Sequence, residues 1–232
     1  MSTVNVVSLV GPPGSGKTTQ AARLAAALAD AWGSPVLRAS VPALFRGDPA
    51  LDARLTRQER ARVAGVRAAA HARADRGELM PEELDRVLLA VVGRAAARGE
   101  PVVLDSVPRG RAQAGLLLAG DLPLEQLAVL HLRAPDDPFA FSLRRQLARA
   151  ASRGEPAPTA PHLRRMRRKA RVYTEQTLPA LADLVRAGAD LADVEAGAGA
   201  EQVADAIRDR LARRGVLPHP RTTARPGAVP CA

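Results

Sequence analysis

The first glycine-rich segment of this 232-residue chain reads Gly11-Pro12-Pro13-Gly14-Ser15-Gly16-Lys17-Thr18. It matches the pattern G-x-x-x-x-G-K-[ST], and it lies between an apolar run at residues 4–10 and an Ala/Leu-rich run at residues 18–30. Glycines at these positions let successive backbone N–H groups turn inward around phosphate oxygens, where Cβ atoms would collide. The segment therefore predicts a strand, a phosphate-binding loop and a helix, in that order.

The residue types of this loop predict ATP and Mg²⁺ as cofactors. Lys17 would neutralise charge between the β- and γ-phosphates, and the Thr18 hydroxyl would ligate Mg²⁺. The helix that begins near Gly16 adds its positive end. Motors, GTPases and small-molecule kinases all use such a loop, so the chemistry stays open at this point. The predicted nucleotide-binding residues are Gly11, Pro12, Pro13, Gly14, Ser15, Gly16, Lys17, Thr18 and Thr19.

An acidic residue further along the chain, Asp105, helps to decide which reaction the ATP undergoes. Asp105 ends a short apolar run at residues 102–104, where its carboxylate could hold Mg²⁺ through water. Many ATP-hydrolysing machines place a glutamate directly after this aspartate to activate water, but here Ser106 follows. The sequence therefore favours phosphoryl transfer to a bound acceptor over hydrolysis.

The chain alternates short apolar runs with helical patterns, which predicts an α/β fold with a five-stranded parallel sheet covered by helices on both faces. Strands are predicted at residues 4–10, 35–40, 102–104, 127–132 and 191–194. Helices are predicted at residues 18–30, 51–75 (one long or two shorter helices), 81–98, 109–119, 136–153, from about 161 through Tyr173 towards Leu178, and at 201–213. We expect one domain over residues 1–214 and a disordered, proline-rich tail over residues 215–232.

Composition excludes several classes of protein. A hydrophobic content of 47% with 25% charged residues excludes a wholly disordered chain. No apolar run reaches the ~18 residues that a membrane span needs. The single cysteine, Cys231, stands in the predicted tail, so neither disulfides nor a cysteine metal site can organise the fold. We expect a cytoplasmic monomer with no membrane partner.

The formal net charge of +10 is concentrated in one segment. Between residues 131 and 173 there are eleven basic residues and three acidic ones, so this segment carries eight of the ten net charges. Aromatic residues make up 2% of the chain, which leaves few stacking platforms for single-stranded nucleic acid. We therefore do not expect a nucleic-acid partner, and we expect the basic segment to bind polyphosphate. His131 and Tyr173 are expected to be packing residues.

Five stretches, in chain order, resemble the adenylate kinase family of nucleoside monophosphate kinases, and the resemblance runs from about residue 4 to residue 213. They are residues 11–20; residues 76–84; residues 104–109 with Gln113; Arg145, Arg149 and residues 153–155; and residues 167–179. The resemblance implies a P-loop kinase fold with a helical acceptor-binding insert at about residues 40–78 and a short lid at about residues 153–162. It also implies the reaction ATP + AMP to 2 ADP, with a lid that closes over ATP and a nucleoside monophosphate and excludes water.

The resemblance also implies roles for individual residues. Catalysis would fall to Lys17, Arg109, Arg145, Arg149 and Lys169, and the lid would add Arg153 and Arg167. The acceptor would be held by Arg46 and Arg109 at its phosphate and by Leu79, Met80, Ser106 and Gln113 around its base. Thr18 and Asp105 would serve Mg²⁺. Arg145, Arg149 and Arg153 follow each other at intervals of four residues and therefore share one helix face.

Several positions depart from the family pattern and keep the acceptor open. Val41, Pro42 and Ala43 stand where the family usually has Thr and Gly-Asp, and Ser106-Val107 replaces Gly-Phe. The lid segment lacks the usual R-x-D-D, and Lys169 replaces an arginine. AMP is the leading acceptor. The alternatives are another nucleotide-like or small-metabolite acceptor, a nucleotide-binding relative without turnover, and a basic ATPase that acts on nucleic acid.

Overall fold

A computed structural model describes residues 4–120 and 122–217 and contains one five-stranded sheet. Its strands are β1 (Val6–Val10), β2 (Leu37–Ala39), β3 (Val102–Asp105), β4 (Leu127–Arg133) and β5 (Asp190–Glu195). All four pairings are parallel, and the strand order is β2-β3-β1-β4-β5. The predicted α/β class and the five-stranded parallel sheet are confirmed. β1 is central, with β3 on one side and β4 on the other, so the loop after β1 opens where both neighbours end.

Helices cover the sheet on both sides. They are α1 (Lys17–Trp32), α2 (Val41–Arg46), α3 (Pro49–Asp52), α4 (Arg57–Arg76), α5 (Glu82–Ala97), α6 (Arg111–Ala119), α7 (Pro138–Arg153), α8 (Ala160–Val172), α9 (Leu178–Arg186) and α10 (Ala200–Arg213). Within the described residues, none of these helices has the length and apolar character that crossing a membrane requires.

The two faces of the sheet make two separate hydrophobic cores. In β1, Val6 and Val10 pack with α5, α6 and α9, whereas Val7 and Leu9 pack with α1 and α10. Every residue of β1 is buried, as expected for a parallel strand covered on both sides. The continuous apolar run in the sequence therefore reflects this double burial.

The segment between β2 and β3 is more broken than the sequence predicts. The Ser40 side chain accepts a hydrogen bond from Ala43 N at 3.1 Å and starts α2, a helix absent from the sequence prediction. Thr56 and Glu59 form a reciprocal capping box that starts α4, with N–O distances of 2.8 and 3.2 Å. Of the two alternatives predicted for residues 51–75, the structure has two shorter helices, α3 and α4, because local caps divide the region.

The helix that leaves the predicted lid is longer than expected. α7 ends at Gly154, and α8 starts at Ala160 after a short connection. A single π-helical turn, Tyr173–Thr177, then joins α8 to α9, which continues to Arg186, so the predicted end near Leu178 is wrong. Pro179 suggests a helix end because its ring clashes with the carbonyl one turn earlier. Here Pro179 stands in the first turn of α9, directly after the π turn, a position where proline is tolerated.

The folded body also extends further than the predicted domain end at residue 214. Val216 and Leu217 are buried against the core on the α1 face, and Trp32 Nε1 donates a hydrogen bond to the Val216 carbonyl at 3.0 Å. Val216 and Leu217, which the sequence analysis assigned to the tail, therefore pack as part of the folded body. The rest of the predicted tail, with Cys231, lies outside the described residues.

Candidate active site

The phosphate loop leaves β1 at Gly11, and its geometry depends on glycine at two positions. A Cβ on Gly11 would lie 2.5 Å from the Leu132 carbonyl oxygen of β4, which excludes any side chain there. Gly16 has a φ of 87°, a left-handed conformation that glycine adopts without strain, immediately before α1 begins. Backbone N–H groups of the loop and the first turn of α1 thus lie together at the carboxyl edge of the sheet, as an anion site requires.

Lys17 is folded over this loop. Its Nζ donates to the carbonyl oxygens of Gly11 at 2.8 Å and Pro12 at 2.7 Å. Burial lowers the pKa of Lys17 to about 7, and the nearby Arg109 guanidinium acts in the same direction, while Asp105 opposes the shift. The carbonyl groups supply no full negative charge, so a bound polyphosphate would stabilise the ammonium form.

Thr18 and Asp105 meet at the predicted metal position. The Thr18 hydroxyl donates to Asp105 Oδ2 at 2.7 Å, and the Ser106 hydroxyl donates to Asp105 Oδ1 at 2.9 Å. This oxygen donor set fits Mg²⁺, which takes one or two protein oxygens, phosphate oxygens and water. Thr18 and Asp105 would hold the ion, and Mg²⁺ would supply charge neutralisation at the β- and γ-phosphate oxygens.

One cavity of about 490 Å³ runs from the phosphate loop to the helices between β2 and β3. It collects eight of the predicted site residues outside the glycines and prolines of the loop: Lys17, Thr18, Arg46, Leu79, Met80, Ser106, Arg109 and Lys169. The donor end and the acceptor end therefore open into a single space, as direct transfer between two bound substrates requires.

The cationic side chains in this cavity lack acidic partners. Arg46, Arg109, Arg165 and Lys169 all line it, and within the described part of the chain none of the four forms an ion pair. Burial lowers the pKa of Lys169, and the nearby charges of Arg109, Arg165 and Arg46 lower it further. Burial likewise lowers the pKa of Arg109, against the opposing charges of Asp105 and Asp85. These like charges repel one another, and an anion between them would relieve the repulsion.

Gln113, which was predicted to contact the acceptor base, is not among the residues that line this cavity. It is 6% exposed, and its Nε2 donates to Asp85 Oδ1 at 2.5 Å. Its Oε1 accepts a hydrogen bond from the Arg109 backbone N–H, also at 2.5 Å. Burial raises the pKa of Asp85 to about 6. A buried carboxylate on α5 thus holds the amide inside the fold, and the contact of Gln113 with an acceptor base stays a prediction.

The remaining predicted arginines also lie outside the cavity. Arg145 stands beside the loop, with its guanidinium 5.8 Å from the Phe141 ring centroid. Arg149 is exposed on α7, and Arg153 at the end of that helix is 3.6 Å from Glu155. The Arg167 guanidinium lies 5.0 Å from the Phe139 ring centroid. The structure therefore places Arg145 against the phosphate loop, whereas Arg149, Arg153 and Arg167 are not among the residues that line the cavity.

Sequence reasoning missed Arg165 and gave Tyr173 only a packing role, although both line the cavity. Arg165, Lys169 and Tyr173 follow each other at intervals of four residues, so they share one helix face. Lys169 was already a predicted site residue. The same spacing, applied to its neighbours one turn away, would have identified the other two.

The loop, the sheet order and the cation-lined cavity define a P-loop domain of the phosphotransferase class. A family model described as an AAA domain matches residues 6–173. An adenylate kinase of Clavibacter michiganensis subsp. michiganensis is 33% identical over 213 residues, which cover 90% of this chain and 94% of that protein. An adenylate kinase of Deinococcus radiodurans is 32% identical over 190 residues, with coverages of 79% and 85%. By these matches the chain belongs to the AAA-domain P-loop proteins and is a divergent, adenylate kinase-like member, so the predicted family is confirmed.

Proposed function

We propose that this protein transfers the γ-phosphoryl group of ATP to a nucleoside monophosphate, with AMP as the leading acceptor. The observation that carries the proposal is the single cavity with the donor loop at one end and Arg46, Arg109 and Lys169 around its acceptor part. In the reaction, an oxygen of the acceptor phosphate bonds to the γ-phosphorus while the bond to the bridging β–γ oxygen breaks and ADP leaves. Charge spreads over the equatorial oxygens in this transition state, and the cation cluster would stabilise it.

The residues divide between the two substrates. Lys17 and the loop N–H groups would bind the β- and γ-phosphates of ATP, with Thr18 and Asp105 at Mg²⁺. Arg46 and Arg109 would hold the acceptor phosphate in a fixed orientation through their planar guanidinium groups. Lys169 would contribute a point charge between the two. Because Arg46, Arg109 and Lys169 place several cationic groups around one cavity, the site suits phosphorylated ligands.

Coupled assays with ATP and each of AMP, GMP, CMP, UMP and dTMP test the proposal. We expect diphosphate formation from at least one monophosphate, most rapidly from AMP. Diphosphate from none of the five acceptors would contradict the proposal, and binding of ATP without turnover would then indicate a non-catalytic relative.

A second candidate is a kinase for another nucleotide-like or small-metabolite acceptor. The buried Gln113 favours it, because this amide is held by Asp85 and by the Arg109 backbone instead of facing an acceptor base. ADP release that depends on a non-nucleotide acceptor, with all five monophosphates inactive, would support this candidate. The cytoplasmic location, the monomeric state and the absence of a nucleic-acid partner stay predictions.

A further inference from the structure

The π turn Tyr173–Thr177 lies directly against the candidate active site. Its Leu178 N–H donates to the Tyr173 carbonyl, the spacing that defines a π turn, and turns of this kind occur frequently at functional sites. Tyr173 is 6% exposed and Thr177 is 4% exposed, and both side chains line the cavity. A buried polar side chain is stabilised only where it finds a partner, so the partners of these two residues indicate what the turn does.

Tyr173 is joined to the end of β4 and, through it, to β5. The Tyr173 hydroxyl and His131 Nε2 are 2.6 Å apart, and His131 Nδ1 is 2.9 Å from Asp193 Oδ1. The Asp193 carboxylate only accepts, so Nδ1 carries the proton and Nε2 accepts from the tyrosine hydroxyl. Burial lowers the pKa of His131, which favours this neutral form. The hydrogen-bond chain fixes the rotation of the helix at Tyr173.

Thr177 is hydrogen-bonded to the segment that follows β3, on the opposite side of the phosphate loop from β4. Its hydroxyl donates to the Arg109 carbonyl at 2.7 Å, and Arg109 follows the end of β3. Since β3 and β4 flank β1, the π turn is bonded on both sides of the strand that carries the loop. Lys169 lies four residues before Tyr173 on the same helix face, so the rotation fixed at Tyr173 also fixes where Lys169 points.

We propose that the π turn is a positioning device for phosphoryl transfer, in which Tyr173 and His131 orient Lys169 while Thr177 orients Arg109. The inference rests on the proposed function. Apolar residues would anchor a helix to a core equally well, but hydrogen bonds have defined directions and therefore fix the rotation and register of this helix. The three residues act through Lys169 and Arg109 and are positioning residues.

Kinetics of Tyr173→Phe in two backgrounds test this inference. In the wild-type background we expect kcat to fall about tenfold with the KM values for ATP and acceptor within about threefold, because an interaction made mainly in the transition state is weakened. In a Lys169→Ala background the same change should lower kcat less than about twofold, because the group it positions is gone. Thermal unfolding of each variant separates a loss of fold from a loss of positioning.

Thr177→Val tests the second contact and remains informative if Tyr173→Phe does not fold. Thr174→Val is its matched control, because the Thr174 hydroxyl donates only within its own helix, to Ala170 O at 3.2 Å. We expect a kcat loss of about fivefold or more for Thr177→Val and none for Thr174→Val. Wild-type kcat in both Tyr173→Phe and Thr177→Val, or an equal loss from Tyr173→Phe with and without Lys169, would overturn the inference. A wild-type protein that turns over no acceptor would contradict the proposed function as well.

Discussion

Lys17 and Lys169 are the two lysines among the 34 basic residues of this chain, and both line the same cavity. The other basic residues are all arginines: Arg46, Arg109 and Arg165 also line the cavity, and others lie on exposed helices and in surface ion pairs. A lysine ammonium is a compact point charge with a pKa that burial can lower, whereas a guanidinium group is planar and larger. We therefore expect that Lys17 and Lys169 stand where a compact charge fits the cavity better than a planar guanidinium group would.

Lys17→Ala is expected to lower phosphoryl transfer about a hundredfold or more while leaving the fold intact. The loss follows from removing a charge beside the transferred group, where single contacts of this kind have effects of that size. Lys17→Arg should not restore activity, because Nζ lies 2.7 and 2.8 Å from two carbonyl oxygens and leaves no room for a planar group. Steady-state rates and thermal unfolding of both variants check this, and transfer at the wild-type rate in Lys17→Ala would overturn the donor-site assignment.

Asp85 gives a prediction about stability and pH. Its pKa is raised by burial to about 6, above the ordinary value of 3.8, so between these values the folded state binds more protons than the unfolded state. Stability from this group is therefore present at low pH and lost as pH rises through about 6. Asp85→Asn, which keeps an oxygen for Gln113, should raise the free energy of unfolding at pH 7.5 by up to about 3 kcal/mol.

Urea unfolding of the wild type and Asp85→Asn at pH 4.5, 5.5 and 7.5 measures this difference. We expect the two proteins to approach each other in stability at pH 4.5 and to diverge as pH rises. A variant that is less stable than the wild type at pH 7.5 would show that the ionised carboxylate stabilises the fold, contrary to the burial argument.

At the scale of elements, helix boundaries are set by local caps, and the sequence predicts only some of these caps. The capping box at Thr56 and Glu59 sets the start of α4, and Arg94 of α5 donates to Glu59 at 2.8 and 2.9 Å. Thr56→Ala should lower the free energy of unfolding by about 1 kcal/mol, the usual contribution of such a cap. Chemical denaturation checks the value, with the exposed Thr174→Ala as the control, and an equal loss in both variants would argue against a specific cap.

The elements that the sequence predicted well are those with strong periodicity. The strands and the helices α1, α5, α7 and α10 lie within about three residues of their predicted bounds, because their apolar pattern matches their burial. α2 and the π turn were not predicted. α2 is too short for a periodic signal, and the π turn depends on partners at His131 and Arg109 that are distant in the sequence.

At the scale of the whole molecule, the basic residues at positions 131–173 divide into those that line the cavity and those that form ion pairs at the surface. Arg165 and Lys169 line the cavity, whereas Arg168 pairs with Glu78 at 2.8 Å and Arg144 pairs with Asp136 at 2.6 Å. Fewer of the excess basic residues at positions 131–173 therefore face the cavity than their clustering in the sequence suggested. The surface charge that remains has no ligand assigned to it by the structure.

Neighbouring arginines on α8 test this division. Arg165→Ala should lower kcat/KM about tenfold or more, because it removes a cation from the cavity and a tenfold loss corresponds to about 1.4 kcal/mol of transition-state stabilisation. Arg164→Ala changes the net charge equally at an exposed position and should stay within about twofold of the wild type. Equal effects of the two changes would indicate a general effect of charge instead of a defined site.

Site residues that belong to a sequence motif could be predicted, because the motif determines their geometry. Residues whose position depends on tertiary contacts were harder to predict. Lys17, Thr18, Asp105 and Arg109 follow from patterns at fixed positions after strands, and the structure brings them together. Gln113 stands at the position that the pattern predicts, but its side chain is held inside the fold by Asp85 on another helix. Arg145, Arg149 and Arg153 lie on one helix, α7, at intervals of four residues, but spacing alone does not determine which way their shared face points.

The most direct test of the central claim, that one cavity carries a phosphoryl group from ATP to an acceptor, is phosphorus-31 NMR of the protein with ATP, AMP and Mg²⁺. We predict that the γ-phosphate resonance of ATP and the AMP resonance decline together while ADP forms at two molecules for each ATP consumed. Release of inorganic phosphate with AMP unchanged would contradict the claim, because the protein would then hydrolyse ATP without transferring its phosphoryl group.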